Sequence, residues 1–268
     1  MFLNHDLVDE AVLNRFDHAE AVIRKAGQEA LAYFRQRDRL QVEIKADPQD
    51  VVSIADRNVE ITIVEGIRVR FSDDGFLGEE QGISDGSNDY LWVIDPIDGT
   101  ACFLNGMHPW CISMALMIDN QIAFGLVYDP NTDELFSAVA GRGCFLNGQS
   151  VNTLNVDSVK EGVMGVGTSH RVPAAACISF LDGLLNAGGM FVRNGSGALM
   201  LAYVAAGRLI GYFEPHINAW DCLAGLILVK EAGGWTNHFL EGNGLLEGNV
   251  ILVSASGLET ELQELAGV

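Results

Sequence analysis

The sequence predicts an α/β (α+β) chain built as two packed halves, and three features lead there. A long amphipathic repeat opens the chain, short β-rich runs dominate residues 91–147, and helical and strand-like segments alternate after about residue 150. Val12, Phe16, Ala19, Ile23, Ala26, Ala30 and Phe34 recur at spacings of three and four, which predicts a helix over about residues 6–37. Residues 40–50 are polar and contain Pro48, as in a loop or an exposed hairpin. Residues 57–70 read two ways. Val59, Ile61 and Ile63 alternate as in a strand, whereas Val59, Ile63 and Ile67 suit a helix. Strands are expected at 92–94, 111–118, 122–128 and 135–139, with Asp119-Asn120 and Asp129-Pro130-Asn131 turning the chain between them. Further on, 198–206 and 219–232 read as helices and 209–213 as a strand, and Gly233-Gly234 stops the last helix. The change of texture places a soft boundary between residues 1–148 and 149–268.

Composition excludes several classes. Hydrophobic residues make up 49% of 268, enough for a substantial core and too many for a disordered chain. No apolar run approaches ~20 residues, so no membrane span is expected. Met1 to Asp6 lacks a basic stretch followed by an apolar one, so no signal peptide is expected either. Cys102, Cys111, Cys144, Cys177 and Cys222 form no Cys-x-x-Cys pair and read as reduced, buried thiols of a cytoplasmic protein. The six histidines show no zinc spacing. A formal charge of −20 opposes non-specific nucleic-acid binding, which needs clustered Lys and Arg.

The most informative run is Leu91-Trp92-Val93-Ile94-Asp95-Pro96-Ile97-Asp98-Gly99-Thr100. Four apolar residues read as a buried strand that ends in two carboxylates. Pro96 fixes φ and removes an N–H, which predicts a turn between them. Gly99 lets backbone approach a ligand, and Thr100 brings a hydroxyl to the same place. Hard oxygen donors followed by exposed N–H groups suit a divalent cation that holds a phosphate. On so acidic a chain, bound metal is also the obvious source of positive charge for an anionic substrate.

Two more blocks join it: Gly78-Glu79-Glu80 upstream and Ala219-Trp220-Asp221-Cys222-Leu223-Ala224-Gly225 downstream. In this order the three blocks resemble the inositol monophosphatase family of metal-dependent phosphomonoesterases, and the resemblance spans nearly the whole chain. It implies a layered sandwich of alternating helix and sheet layers of the sugar-phosphatase type, and it favours helix at 57–70. It implies that Glu79, Asp95 and the Ile97 carbonyl hold a first Mg²⁺, and that Asp95, Asp98 and Asp221 hold a second, with two or three ions per site. Asp56 would pair with Thr100 to orient the attacking water, so that Thr100, Asp56 and Glu79 form the catalytic set. Glu80 reads as a surface acid. Lys45 is either a mobile lysine near the site or a solvated one.

The resemblance also implies a substrate pocket of Gly99, Thr100, Gly195, Ser196, Glu214 and Asp221. Glu214 lies seven residues before Asp221, where inositol phosphatases place a glutamate that accepts from sugar hydroxyls. Pro215-His216-Ile217-Asn218-Ala219 departs from the family pattern, and His216 either faces substrate or caps the strand end. The expected activity is Mg²⁺-dependent hydrolysis of a small polyol or sugar phosphate, inositol 1-phosphate above all. Histidinol phosphate or another small phosphomonoester is the alternative within the fold. A regulatory binding protein of the transcription machinery is the alternative of another class. Lithium sensitivity and a homodimer are further family expectations.

Overall fold

The structure, a computed structural model, describes residues 1–39, 42–44 and 51–267, so Lys45 and most of the predicted loop at 40–50 lie outside the described residues. A short 3-10 turn at His5–Leu7 precedes helix α1, Glu10–Phe34. The helix begins later than its periodicity predicts because Asp9 adopts an extended conformation and caps it, its carboxylate accepting from the Val12 N–H at 3.0 Å. Strand β1, Val42–Ile44, pairs antiparallel with β2, Val51–Ser53, and leads into α2, Ile54–Arg68. Residues 57–70 are therefore helical to Arg68. Val59, Ile63 and Ile67 are fully buried while Ile61 is 42% exposed, as a 3.6-residue period requires. A capping box between Ser53 and Asp56 fixes where α2 starts.

The large sheet follows: β3 (Gly75–Gly78), β4 (Gly82–Ser84), β5 (Tyr90–Asp98), then helix α3 (Thr100–Leu104). It continues through β6 (Cys111–Ile118), β7 (Gln121–Asp129), β8 (Glu134–Val139), β9 (Cys144–Leu146) and β10 (Gln149–Val151). These eight strands pair in the order β10-β9-β8-β7-β6-β5-β3-β4. The predicted turn at Pro96 is instead an irregularity within β5. The strand runs on to Asp98, and its register against β6 shifts between Asp95 and Asp98. A proline without an N–H fits there because a bulge breaks the ladder locally.

The remaining elements are β11 (Val163–Val166), α4 (Ala174–Asn186), β12 (Met190–Val192), α5 (Gly197–Ala205) and β13 (Gly211–Ile217). They end with α6 (Ala219–Glu231), β14 (Trp235–Thr236), α7 (Gly244–Glu247), β15 (Asn249–Ser254) and α8 (Glu259–Ala266). The second sheet has the order β12-β11-β13-β15-β14. Strand β13 outruns the predicted 209–213, and its register against β15 shifts between Glu214 and Ile217.

Neighbouring residues on one strand show how the layers stack, because successive side chains point to opposite faces. On β7, Phe124 meets Phe16 of α1 edge-on at 5.4 Å, whereas a Cβ on Gly125 would lie 2.6–2.7 Å from Ala224 and Ile227 of α6. On β13, Tyr212 joins the main core, whereas Phe213 joins a second apolar cluster and stacks on Phe180 of α4 at 4.2 Å. The layers are thus α1/α2, large sheet, α5/α6, small sheet and α4/α8. This is the alternating helix-and-sheet sandwich the sequence implies. The main apolar core takes residues from both sides of the 148/149 boundary. Asp74 ties α1 to the start of β5, accepting from Arg15 at 2.7 and 2.8 Å, Asn88 at 2.8 Å and Trp92 at 2.9 Å. Among the described residues no helix is long and apolar enough to cross a membrane.

Candidate active site

The two irregular strands and the starts of α5 and α6 converge on a cavity of about 410 Å³. Asp95 and Asp98 enter from the β5 irregularity, and Asp221 enters from the first turn of α6. One ligand oxygen from each lies within 4.8 Å of the other two. Each carboxylate is held by hydrogen bonds. Asp95 accepts from the Ile97 N–H at 2.9 Å, and Asp221 accepts from Asn218 through both amide groups at 3.2 Å. Asp98 Oδ2 accepts from the Ser196 hydroxyl at 2.5 Å and from the Ala198 N–H at 2.7 Å.

Crowding three acids in a dry floor raises their pKa values. Burial, followed by the charges of Glu79, Asp98 and Asp221, lifts Asp95 well above the usual carboxylate range. Burial and the charge of Asp221 lift Asp98 to about 7, against hydrogen bonds from Ser196, Ala198 and Gly197 that pull it down. Asp221 is raised by burial, and hydrogen bonds with Asp95 and Asn218 oppose the rise. Among the described residues none of the three is ion-paired with Lys or Arg. A set of clustered carboxylates that offers only hard oxygen donors, with the charge of Arg171 near Asp221 as partial compensation, fits a divalent ion such as Mg²⁺.

Glu79 follows β3, its N–H donating to the Ile94 carbonyl at 3.2 Å. Its side chain lines the same cavity but stands outside the 4.8 Å group. Glu60 of α2 holds this loop, and sequence reasoning missed it. It is fully buried and accepts the N–H groups of Glu80 at 3.0 Å and Gln81 at 2.9 Å. A Cβ on Gly78 would sit 2.4 Å from Glu60 Oε1, so only glycine fits there. The signal was present: a glutamate beside Val59 on the apolar face of a helix.

Thr100 and Asp56 do meet. The Thr100 hydroxyl lies 3.1 Å from both Asp56 Oδ1 and the Ile97 carbonyl oxygen, and donates towards them. Asp56 is fully buried, and its Oδ2 accepts from the Ser53 N–H at 2.8 Å and the Ser53 hydroxyl at 2.7 Å. Burial nevertheless raises its pKa. Gly99, at φ +98, precedes α3; a Cβ there would stand 2.8 Å from the Pro109 carbonyl.

The opposite wall holds Gly195, Glu214 and His216. Tyr212 donates to Glu214 at 2.5 Å, yet burial lifts Glu214 to about 8, with the charges of Asp221 and Asp98 adding to the rise. His216 bonds the Glu247 carbonyl through Nε2 at 2.9 Å while still lining the cavity. Ser196 borders the cavity too; it is 1% exposed, and its hydroxyl donates to Asp98. Arg171 and Arg193 line the cavity and were not singled out in the sequence, where isolated arginines carry no pattern. Arg171 donates to Asn218 Oδ1 at 2.5 Å.

Comparison with known proteins agrees with this architecture. The profile of the Inositol monophosphatase family matches residues 13–266. An inositol-1-monophosphatase of Rhizobium meliloti is 37% identical over 244 residues, 90% of this chain and 91% of its own length. A protein of Haemophilus influenzae named Nus factor SuhB is 35% identical over 242 residues, 89% of this chain and 90% of its own. Among solved structures, an IMPase from Thermotoga maritima superposes with a TM-score of 0.84 at 31% identity, covering 95% of this chain and 97% of its own. The extragenic suppressor protein suhB from Bartonella henselae gives 0.87 at 32% identity, covering 96% and 98%. The chain belongs to the inositol monophosphatase family.

Proposed function

We propose that the chain is a Mg²⁺-dependent phosphomonoesterase acting on a small polyol or sugar phosphate, inositol 1-phosphate above all. The observation that carries this reading is the floor of Asp95, Asp98 and Asp221, with ligand oxygens within 4.8 Å of one another, in the cavity that Thr100 also lines. Glu79, Asp95, the Ile97 carbonyl, Asp98 and Asp221 would hold the metal. When bound, Mg²⁺ supplies neutralisation of phosphoryl charge and acidification of water. The chain's own groups do the rest. Thr100 directs its one proton towards Asp56 and Ile97, so its lone pairs are left to accept from a water and orient it. The Gly99 and Thr100 N–H groups face the phosphate, and Glu214 accepts from substrate hydroxyls. In this reading residues 1–148 carry the main metal motifs, and 149–268 contribute Asp221 and the substrate wall.

Phosphate release from inositol 1-phosphate, histidinol phosphate and fructose 1,6-bisphosphate, with Mg²⁺ and with a chelator, tests the reading. Release that is Mg²⁺-dependent and fastest on inositol 1-phosphate is expected. No release from any substrate overturns it, and preference for histidinol phosphate replaces the substrate. A second role, binding the transcription machinery, is favoured by the relatives named Nus factor SuhB. A pull-down with the purified machinery that retains nothing would remove it.

A further inference from the structure

We propose that Ser196 is a positioning residue for Asp98 rather than a substrate contact. Its hydroxyl and the Ala198 N–H fasten one oxygen of the Asp98 carboxylate to the start of α5 and leave the other to the cavity. The inference rests on the reading of Asp98 as a metal ligand.

Three observations carry it. First, Ser196 borders the cavity but is 1% exposed, and its one proton is committed: Oγ donates to Asp98 Oδ2 at 2.5 Å, accepts from the Leu199 N–H at 3.2 Å and lies 3.5 Å from Cys111 Sγ. A hydroxyl has a single proton, so none is left for a substrate oxygen. Second, Ser196 is itself held, because its N–H donates to Asn194 Oδ1 at 2.9 Å. Third, three contacts on Asp98, those of Ser196, Ala198 and Cys111, fall on the same oxygen. Ala198 N–H reaches Oδ2 at 2.7 Å, and the Cys111 thiol lies 3.8 Å from it. None of these three reaches Oδ1.

The asymmetry has a use. Mg²⁺ demands near-octahedral geometry and is served best by single oxygens in fixed directions. A carboxylate free to rotate must be ordered when the ion binds. One already tied at Oδ2 by a charge-assisted hydrogen bond and a backbone amide is not. The tie also joins β5 to α5, elements 98 residues apart, so the metal floor and the pocket wall share one anchor.

The test is metal affinity without substrate, measured as Mn²⁺ binding by electron paramagnetic resonance on the full chain. Ser196→Ala should weaken Mn²⁺ binding by about 10–100-fold, the usual cost of losing a partner behind a metal ligand. Ser196→Thr, which keeps the hydroxyl, should restore it. In an Asp98→Asn background, Ser196→Ala should add no further loss. Ser196 also caps α5, so Ser196→Gly, which a cap position tolerates better than alanine, replaces the alanine variant if that variant fails to fold. With Mg²⁺ saturating, turnover of inositol 1-phosphate and a nitrophenyl phosphate should recover together. Wild-type Mn²⁺ affinity in Ser196→Ala overturns the inference. So does normal metal affinity combined with a raised KM on the polyol phosphate alone, which would make Ser196 a substrate contact. Asp98→Asn binding Mn²⁺ as tightly as wild type overturns the metal reading itself.

Discussion

Replacing Thr100 by valine deletes one hydroxyl and keeps the branched shape, so its consequences can be worked from the hydrogen bonds alone. Asp56 divides its donors unequally: among the described residues Oδ2 takes both Ser53 bonds, while Oδ1 takes the Thr100 hydroxyl alone. Valine therefore strips Oδ1 of its partner inside a fully buried site, at a cost of about 1–3 kcal/mol in stability. The kinetic effect should be larger. If the hydroxyl orients the water, turnover should fall by roughly 10²–10⁴-fold, about 3–5 kcal/mol of barrier. KM should change little, because the substrate's phosphate and hydroxyls meet other groups. The assay is initial rates on a nitrophenyl phosphate at saturating Mg²⁺, together with a thermal melt. A kcat within about threefold of wild type, with the melt lowered as expected, would refute the reasoning: Thr100 would then support Asp56 and orient nothing. Asp56→Asn should act in the same direction with a greater loss of stability, because its Oδ2 also completes the capping box of α2.

Assayed at pH 9, where Glu214 is charged despite its raised pKa, Glu214→Gln should lower kcat/KM on inositol 1-phosphate by roughly 10–150-fold, the worth of a hydrogen bond to a charged acceptor, and spare a nitrophenyl phosphate. An equal loss on both substrates would place Glu214 in support of the metal floor. Asp98 and Glu214 have folded pKa values raised to about 7 and about 8. The folded chain thus binds protons more tightly than the unfolded one, and the stability this gives is full below about pH 4 and lost as pH rises towards 8. The metal-free melting temperature should fall steadily across that window, and Mg²⁺ should restore it at pH 8. A metal-free chain that gains stability between pH 5 and 8 would contradict the crowded-carboxylate account. Li⁺ should inhibit at millimolar levels in a manner that depends on Mg²⁺; inhibition indifferent to Mg²⁺ would point elsewhere.

The sequence made local features legible and left distant ones hidden. The apolar stripe of α1, the strands β6 to β8 and the Asp95-to-Thr100 block follow from periodicity and spacing within a few residues. The ambiguity at 57–70 also had a local answer: Ser53 three residues before Asp56 is a capping signal that favours helix. The Pro96 turn was misjudged because proline excludes a regular ladder but is compatible with an irregular one, and only the register of β6 distinguishes the two. The bond from Ser196 to Asp98 was not legible because the two residues lie 98 apart, beyond any local pattern. Glu60 had a local signal in its place on the apolar face of α2, but its partners, the N–H groups of Glu80 and Gln81, lie 20 and 21 residues further on. Strands as short as β9, β10 and β12 are set by pairing and carry little pattern of their own.

The irregularity at Asp95–Asp98 has a bearing on how such a chain could change substrates. Both acids sit on a strand hydrogen-bonded to β3 on one side and β6 on the other, within the main core. Thr168, His170, Arg171 and Arg193, by contrast, are solvent-exposed residues at the rim of the cavity. Substitutions at the rim can reshape what enters without disturbing the floor, whereas a change in β5 must be absorbed by two neighbouring strands. Libraries meant to alter substrate range should therefore vary residues 168–171 and 193–194 and leave 95–100 untouched. The expected outcome is many folded, metal-binding variants that differ in which phosphate ester they admit.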